Sequence, residues 1–185
     1  NIDSTKLPRV GEHVVESALL DQMRWDKSEG GVFRYYQPVM IKNCTLQVPV
    51  PVTAHAGIAG LKESNGNIDI LARRGRRLSV WELKRPGILA HAPEQAIIYA
   101  ISLLHMLRSD YGGEWYKVLG FTGKLPKKIL IEAVMAVTKD VFDRLSSSGN
   151  LGDLTVNEEH GDRIKLFKAC YDKGNYQVVR IVELN

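Results

Sequence analysis

Apolar residues recur at steps of three and four in two segments of the chain, and each segment predicts an amphipathic helix. The first runs from Val10 to Trp25. The second runs from Pro93, a residue that suits the first helical turn, to Leu107. Its apolar residues cover more than half of the circumference, so we expect this helix to be largely buried against a sheet.

Runs of β-branched and aromatic residues between turn signals predict strands. Asp140–Ser148 is predicted as a short helix that ends at Gly149. Pro49 and Pro51 each remove a backbone donor, so their segment is expected at a sheet edge or as an extended arm. The predicted strands are Val32–Lys42, Thr45–Thr53, Ile68–Ala72, Leu78–Leu83, Trp115–Thr122 and Ile129–Val137, followed by a terminal hairpin of Ile164–Tyr171 and Tyr176–Leu184.

Mixed helices and strands over 185 residues predict a single α/β domain, residues 1–185. The first residue, Asn1, suggests a domain excised from a longer polypeptide. Cys44 and Cys170 have no metal-binding or disulfide spacing, so a cytoplasmic protein is expected. No apolar run is long enough to span a bilayer, and we expect a protein without a signal peptide. The net charge of +4 is compatible with a polyanionic partner.

The segment Gly66–Pro86 places several charged residues on one predicted hairpin. Gly75 provides the turn, because glycine enters the positive-φ region that tight turns need. Pairing of the two strands brings Asp69 beside Glu82, and the two-residue period of a strand puts Lys84 on the same face as Glu82. Burying such a trio is costly unless a divalent ion or good hydrogen bonds compensate, which indicates a functional site.

Asp69 followed by Glu82-Leu83-Lys84 resembles the D…(D/E)xK signature of the PD-(D/E)xK nuclease superfamily, although Ile68 replaces the proline that often precedes the aspartate. Gln95 and Tyr99 on the next helix resemble the QxxxY element of its exonuclease-like members. The resemblance covers roughly Val10 to Val137. It implies a restriction-endonuclease-like αβββαβ core, with a mixed central sheet flanked by helices, to which the C-terminal β-hairpin is an addition.

The same resemblance implies a Mg²⁺- or Mn²⁺-dependent deoxyribonuclease that takes part in DNA processing, repair or defence. Asp69, Glu82, Lys84 and Gln95 would be catalytic, and Asp69, Glu82 and the Leu83 carbonyl would bind the metal. Gly11-Glu12-His13-Val14-Val15 resembles the opening helix of several families, whose glutamate leans toward the metal. Glu12 is therefore a further candidate ligand, and Glu16, one turn later on the same face, could serve instead.

Basic residues cluster around the predicted turn. Phosphate contacts supply affinity without base specificity. Arginine-to-phosphate contacts are therefore expected here, although the same charges could simply be a solvated turn. The candidate DNA-binding residues are Arg73, Arg74, Arg76, Arg77, Arg85 and Tyr99. Ring-forming homo-oligomers or a fused helicase, both found among exonuclease members, are further expected partners.

Two other interpretations remain open. The domain could bind nucleic acid or serve assembly without catalysis, or Glu82-Leu83-Lys84-Arg85 could be a salt-bridged strand end in an unrelated α/β protein. The sequence contains no Walker A, GxGxxG, GxSxG or HExxH motif. Nucleotide binding, small-ester hydrolysis and zinc proteolysis are therefore unsupported.

Overall fold

The computed structural model of the chain describes residues 11–39, 48–50, 66–84, 92–145, 154–157 and 159–184. Among these residues, no helix is both long and apolar enough to cross a membrane. The helices in this part of the chain are α1 (Glu12–Trp25), α2 (Ala92–Arg108), α3 (Gly112–Val118) and α4 (Lys139–Arg144). The strands are β1 (Tyr36–Pro38), β2 (Val48–Val50), β3 (Gly66–Ile68), β4 (Ile70–Arg74), β5 (Arg77–Leu83), β6 (Leu130–Thr138), β7 (Leu154–Asn157), β8 (Asp162–Tyr171) and β9 (Val178–Glu183).

A seven-stranded mixed sheet forms the centre of the protein, in the order β1-β4-β5-β6-β8-β7, with β9 also paired to β8. Strands β5, β6 and β8 are parallel to one another, and the other pairings in this sheet are antiparallel. β2 and β3 form a separate two-stranded sheet. The predicted α/β class with a mixed sheet flanked by helices is therefore confirmed.

The two-residue period of β5 divides the core between the two faces of the sheet. Val80 lies in the cluster built with α2, and Trp81 and Leu83 lie in the cluster built with α1. Both clusters consist of nearly inaccessible side chains, which supply the hydrophobic driving force for folding. Glu82 is thereby placed on the α2 face, next in line after Val80.

The hairpin predicted around Gly75 is confirmed. Arg74 pairs with Arg77 at its closed end, and Gly75 has a φ of 62°, the region that favours glycine. The proline-containing strand is also confirmed as peripheral for its described residues. β2 pairs only with β3, and Pro49 lies opposite Asn67. The terminal hairpin is present as β8 and β9, with β8 built into the central sheet.

Three predicted strands need correction. Trp115–Thr122 is wrong as a strand, because Gly112–Val118 forms helix α3, which buries Tyr116 and is followed by the buried C-cap residue Leu119. Of Val32–Lys42, residues 32–35 form turns, only Tyr36–Pro38 is a strand, and residues 40–42 lie outside the described part. Ile68–Ala72 is interrupted at Asp69, where the chain passes from the small sheet to the large one.

Candidate active site

The ends of several strands bring the candidate catalytic residues to one edge of the sheet. Parallel strands β5, β6 and β8 all end there, and ligands of open α/β sheets commonly bind at this carboxyl edge. Strand β4 is antiparallel to β5 and therefore begins at the same edge, immediately after Asp69. Glu82 is near the end of β5, and Lys84 directly follows it. The topology thus brings together the three residues that the sequence singles out.

Lys84 forms two short contacts at this edge. Its Nζ donates to Glu82 Oε1 at 2.7 Å and to Gln95 Oε1 at 2.6 Å. The Glu82 residue is 4 % exposed and the Lys84 side chain is 12 % exposed. Because charge-assisted hydrogen bonds with little water around them are strong, the ammonium group is held in a defined position.

Asp69 is fixed by the backbone of the ExK strand. Its Oδ2 accepts a hydrogen bond from the Leu83 N–H at 2.7 Å, beyond the last backbone pair of the hairpin, Ile70 with Trp81. In an antiparallel ladder the N–H and C=O of one residue point to the same neighbour. The Leu83 carbonyl is therefore expected on the Asp69 side of β5. Asp69 is only half-buried, so solvent reaches the cluster from this side.

Tyr99 on α2 links the two carboxylates electrostatically. Burial raises the pKa of the Tyr99 phenol above its ordinary value, and the negative charges of Glu82 and Asp69 raise it further. Both carboxylates are thus close enough to influence one hydroxyl. Tyr99 is 8 % exposed, and with Gln95 it covers the α2 side of the cluster.

Sequence reasoning missed a residue that supports Lys84 from β8. The Tyr171 hydroxyl donates to the Lys84 carbonyl at 2.6 Å, while the Lys84 N–H donates to the Ala136 carbonyl at 3.0 Å. The Lys84 backbone is therefore held by the adjacent strand β6 and, through the Tyr171 side chain, by β8 beyond it. The available signal was weak: Tyr171 ends an apolar strand, and only the strand order shows that this end meets Lys84.

The carboxylates of α1 are not shown to join the cluster. α1 packs on the sheet face opposite to the one that bears Glu82. Glu12 is its first residue, and the Glu12 side chain lies outside the described part of the structure. Glu16 Oε2 is 3.2 Å from His13 Nδ1.

The oxygen donors at the edge fit a hard divalent cation. Mg²⁺ usually binds one or two carboxylates and keeps several waters, and Asp69, Glu82 and the Leu83 carbonyl are donors of this type. Within the described residues, no group of three His, Cys, Asp or Glu side chains is placed to hold a metal ion. A bound ion would therefore rely on two carboxylates, the carbonyl and water.

The predicted DNA-binding arginines lie at the other end of the hairpin. Arg73 and Arg74 end β4, Arg76 lies in the turn, and Arg77 begins β5. Seven residue steps separate Arg77 from Lys84, or about 23 Å along an extended strand. Arg85 is outside the described residues. The turn arginines are thus not next to the candidate catalytic cluster.

Comparison of the chain with protein-family models, curated proteins and solved structures found no match.

Proposed function

We propose that the protein is a metal-dependent nuclease that hydrolyses DNA phosphodiester bonds, with a restriction-endonuclease-like version of the mixed α/β fold. The observation that carries this proposal is the contact of Lys84 Nζ with Glu82 Oε1 at 2.7 Å, at the same sheet edge as Asp69. Two acids and an amine from the ends of paired strands are the groups that the D…ExK resemblance requires.

Phosphodiester hydrolysis needs a positioned water and compensation of the charge that develops on the phosphate. Asp69, Glu82 and the Leu83 carbonyl would hold Mg²⁺ or Mn²⁺, and such an ion, when bound, lowers the pKa of water and neutralises phosphate charge. Lys84 would orient the attacking water through its ammonium hydrogens. Glu82 and Gln95 keep that ammonium in place, and the bonds of Tyr171 and Ala136 fix the backbone that carries it.

The test is cleavage of supercoiled plasmid and linear DNA with Mg²⁺ or Mn²⁺. We expect the wild type to cut. Lys84→Ala, Asp69→Ala and Glu82→Ala should each reduce the rate by about 100-fold or more, the range lost with a positioned proton-transfer or water-orienting group. Lys165→Ala is the matched control. Lys165 also pairs with a glutamate, Glu183, but it is six residues before the carboxyl end of β8 and so away from the cluster. Equal products from wild type and Lys84→Ala would remove the enzymatic interpretation.

A second candidate is a nucleic-acid-binding or assembly domain with the same fold but no catalysis. One observation favours it: the arginines at the hairpin turn form a basic group away from Lys84. The strand rise puts this group about 23 Å along β5 from Lys84. DNA binding by the wild type with no cleavage under either metal would support this function and contradict the first.

A further inference from the structure

A cleft of about 570 Å³ opens at the turn end of the β4–β5 hairpin. Four arginines contribute to its lining, together with Tyr35 on the segment before β1. Its volume lies within the range of small-ligand sites, about 300–1,000 Å³. The arginines are Arg34, Arg73, Arg74 and Arg77.

The cleft carries excess positive charge. Glu132 is fully buried, and its Oε1 is 3.1 Å from Arg74 Nη1 and 3.5 Å from Arg77 Nη1. Arg34 is 4.0 Å from the highly exposed carboxylate of Glu29. Arg73 donates to the neutral oxygens of Gly120 and Gln37. Among the described residues, these four guanidinium groups contact two carboxylates, which leaves a surface that attracts anions.

An exposed aromatic ring adds a second kind of contact. Tyr35 is 65 % exposed, and the Arg34 guanidinium lies over its ring at 5.3 Å from the centroid. Aromatic rings beside a positive groove are the usual means of holding single-stranded nucleic acid, because each base can stack while arginines contact the phosphates. In a duplex the base faces are already stacked on one another, so only the phosphates would remain for contact.

We propose that this cleft binds an unpaired nucleic-acid strand, with phosphates on Arg34 and Arg77 and a base on Tyr35. The side chains of Arg34 and Arg77 are 41 % and 48 % exposed, and Arg77 is farther from Glu132 Oε1 than Arg74 is, at 3.5 Å against 3.1 Å. Arg74 is needed to neutralise the buried Glu132. The cleft lies at the sheet edge opposite the candidate hydrolytic cluster, so strand binding here requires no hydrolysis.

The test is fluorescence anisotropy of a labelled 12-nucleotide DNA strand in EDTA, which prevents cleavage by a divalent ion. Compared with the wild type, Arg34→Gln/Arg77→Gln should weaken binding at least tenfold. Loss of two phosphate contacts should also reduce the slope of log K against log salt by about 1.4 for a single strand. Tyr35→Ser should weaken binding by about 5- to 150-fold, the effect of losing one stacked base.

The matched control is Arg144→Gln/Arg180→Gln, which removes the same charge from exposed residues of α4 and β9. This control should bind as the wild type does. Equal binding by wild type and Arg34→Gln/Arg77→Gln, an equal loss in the control, or a preference for duplex DNA would each overturn the proposal.

Because a variant can lose binding by misfolding, the wild type itself should also be crosslinked to a 5-iodouracil strand. Recovery of the peptide that contains Tyr35 supports the cleft, and crosslinks confined to other peptides contradict it.

Failure of this proposal is distinguishable from failure of the proposed nuclease. Lys84→Ala should bind the strand as tightly as the wild type, because Lys84 is at the opposite sheet edge. If strand binding depends on the arginines but no DNA is cleaved, the proposed nuclease activity is refuted and strand binding in the cleft is not. If the arginine and Tyr35 changes leave both cleavage and strand binding unchanged, strand binding in the cleft is refuted and the proposed nuclease activity is not.

Discussion

Removal of the Lys84 charge should destabilise the protein because a buried carboxylate loses its cation. In Lys84→Met, Glu82 Oε1 would lose its 2.7 Å contact and Gln95 Oε1 its 2.6 Å donor. Breaking a fully buried ion pair costs about 3–5 kcal/mol, and because the Lys84 side chain keeps 12 % exposure we expect about 2–3 kcal/mol. For a chain of this size, that loss lowers Tm by roughly 4–12 °C.

A double-mutant cycle with Glu82→Gln measures the coupling directly. The two single variants and the double variant are unfolded with urea at pH 7 and followed by circular dichroism. The combined destabilisation should fall short of the sum of the single changes by at least about 1 kcal/mol, because residues in contact do not act additively. Additive changes, or Lys84→Met within about 0.5 kcal/mol of the wild type, the range of ordinary surface substitutions, would refute the described pairing.

Two further predictions concern Asp162 at the start of β8 and Tyr171 at its end. Burial alone would raise the pKa of Asp162, but hydrogen bonds from Arg108 and the Ile129 N–H outweigh it and lower that pKa below the ordinary 3.8. Asp162→Asn should therefore destabilise the protein by about 2–4 kcal/mol at pH 7, because Arg108 loses its counter-charge. In urea unfolding, the difference in stability from the wild type should shrink as the pH falls through 3.8 and below. A difference that does not change with pH would contradict this assignment. Tyr171→Phe removes the hydrogen bond to the Lys84 carbonyl and should lower stability by about 1 kcal/mol. It should also reduce DNA cleavage without weakening strand binding, whereas Tyr111→Phe, at an exposed residue, should change neither stability nor cleavage. Equal behaviour of the two variants would argue against positioning of Lys84 by Tyr171.

Local patterns were sufficient to predict the elements that carry the cluster. The helical spacing of apolar residues predicted α1 and α2, and Gly75 predicted the turn that sets the register of β4 and β5. That register alone fixes which side chains share an edge. The proximity of Asp69, Glu82 and Lys84 therefore followed from sequence once the hairpin was recognised.

Features that depend on distant pairing were not predictable in the same way. Trp115–Thr122 is rich in aromatic and β-branched residues and resembles a strand, but burial of Tyr116 and Leu119 against neighbouring elements favours a helix. Glu132 interrupts an apolar strand, and its arginine partners are more than fifty residues earlier in the chain. The support of Lys84 by Tyr171 likewise appears only when β8 is placed beside β6.

The most direct measurement of the central claim is Mn²⁺ binding by electron paramagnetic resonance, because it needs no knowledge of the correct DNA substrate. The wild type should bind Mn²⁺, while Asp69→Asn and Glu82→Gln should each lose that binding. Asp143→Asn, an exposed carboxylate on α4, should retain it. Mn²⁺ binding that is equal in all four proteins, or absent from the wild type with and without DNA, would contradict a metal-dependent hydrolytic centre at this edge of the sheet.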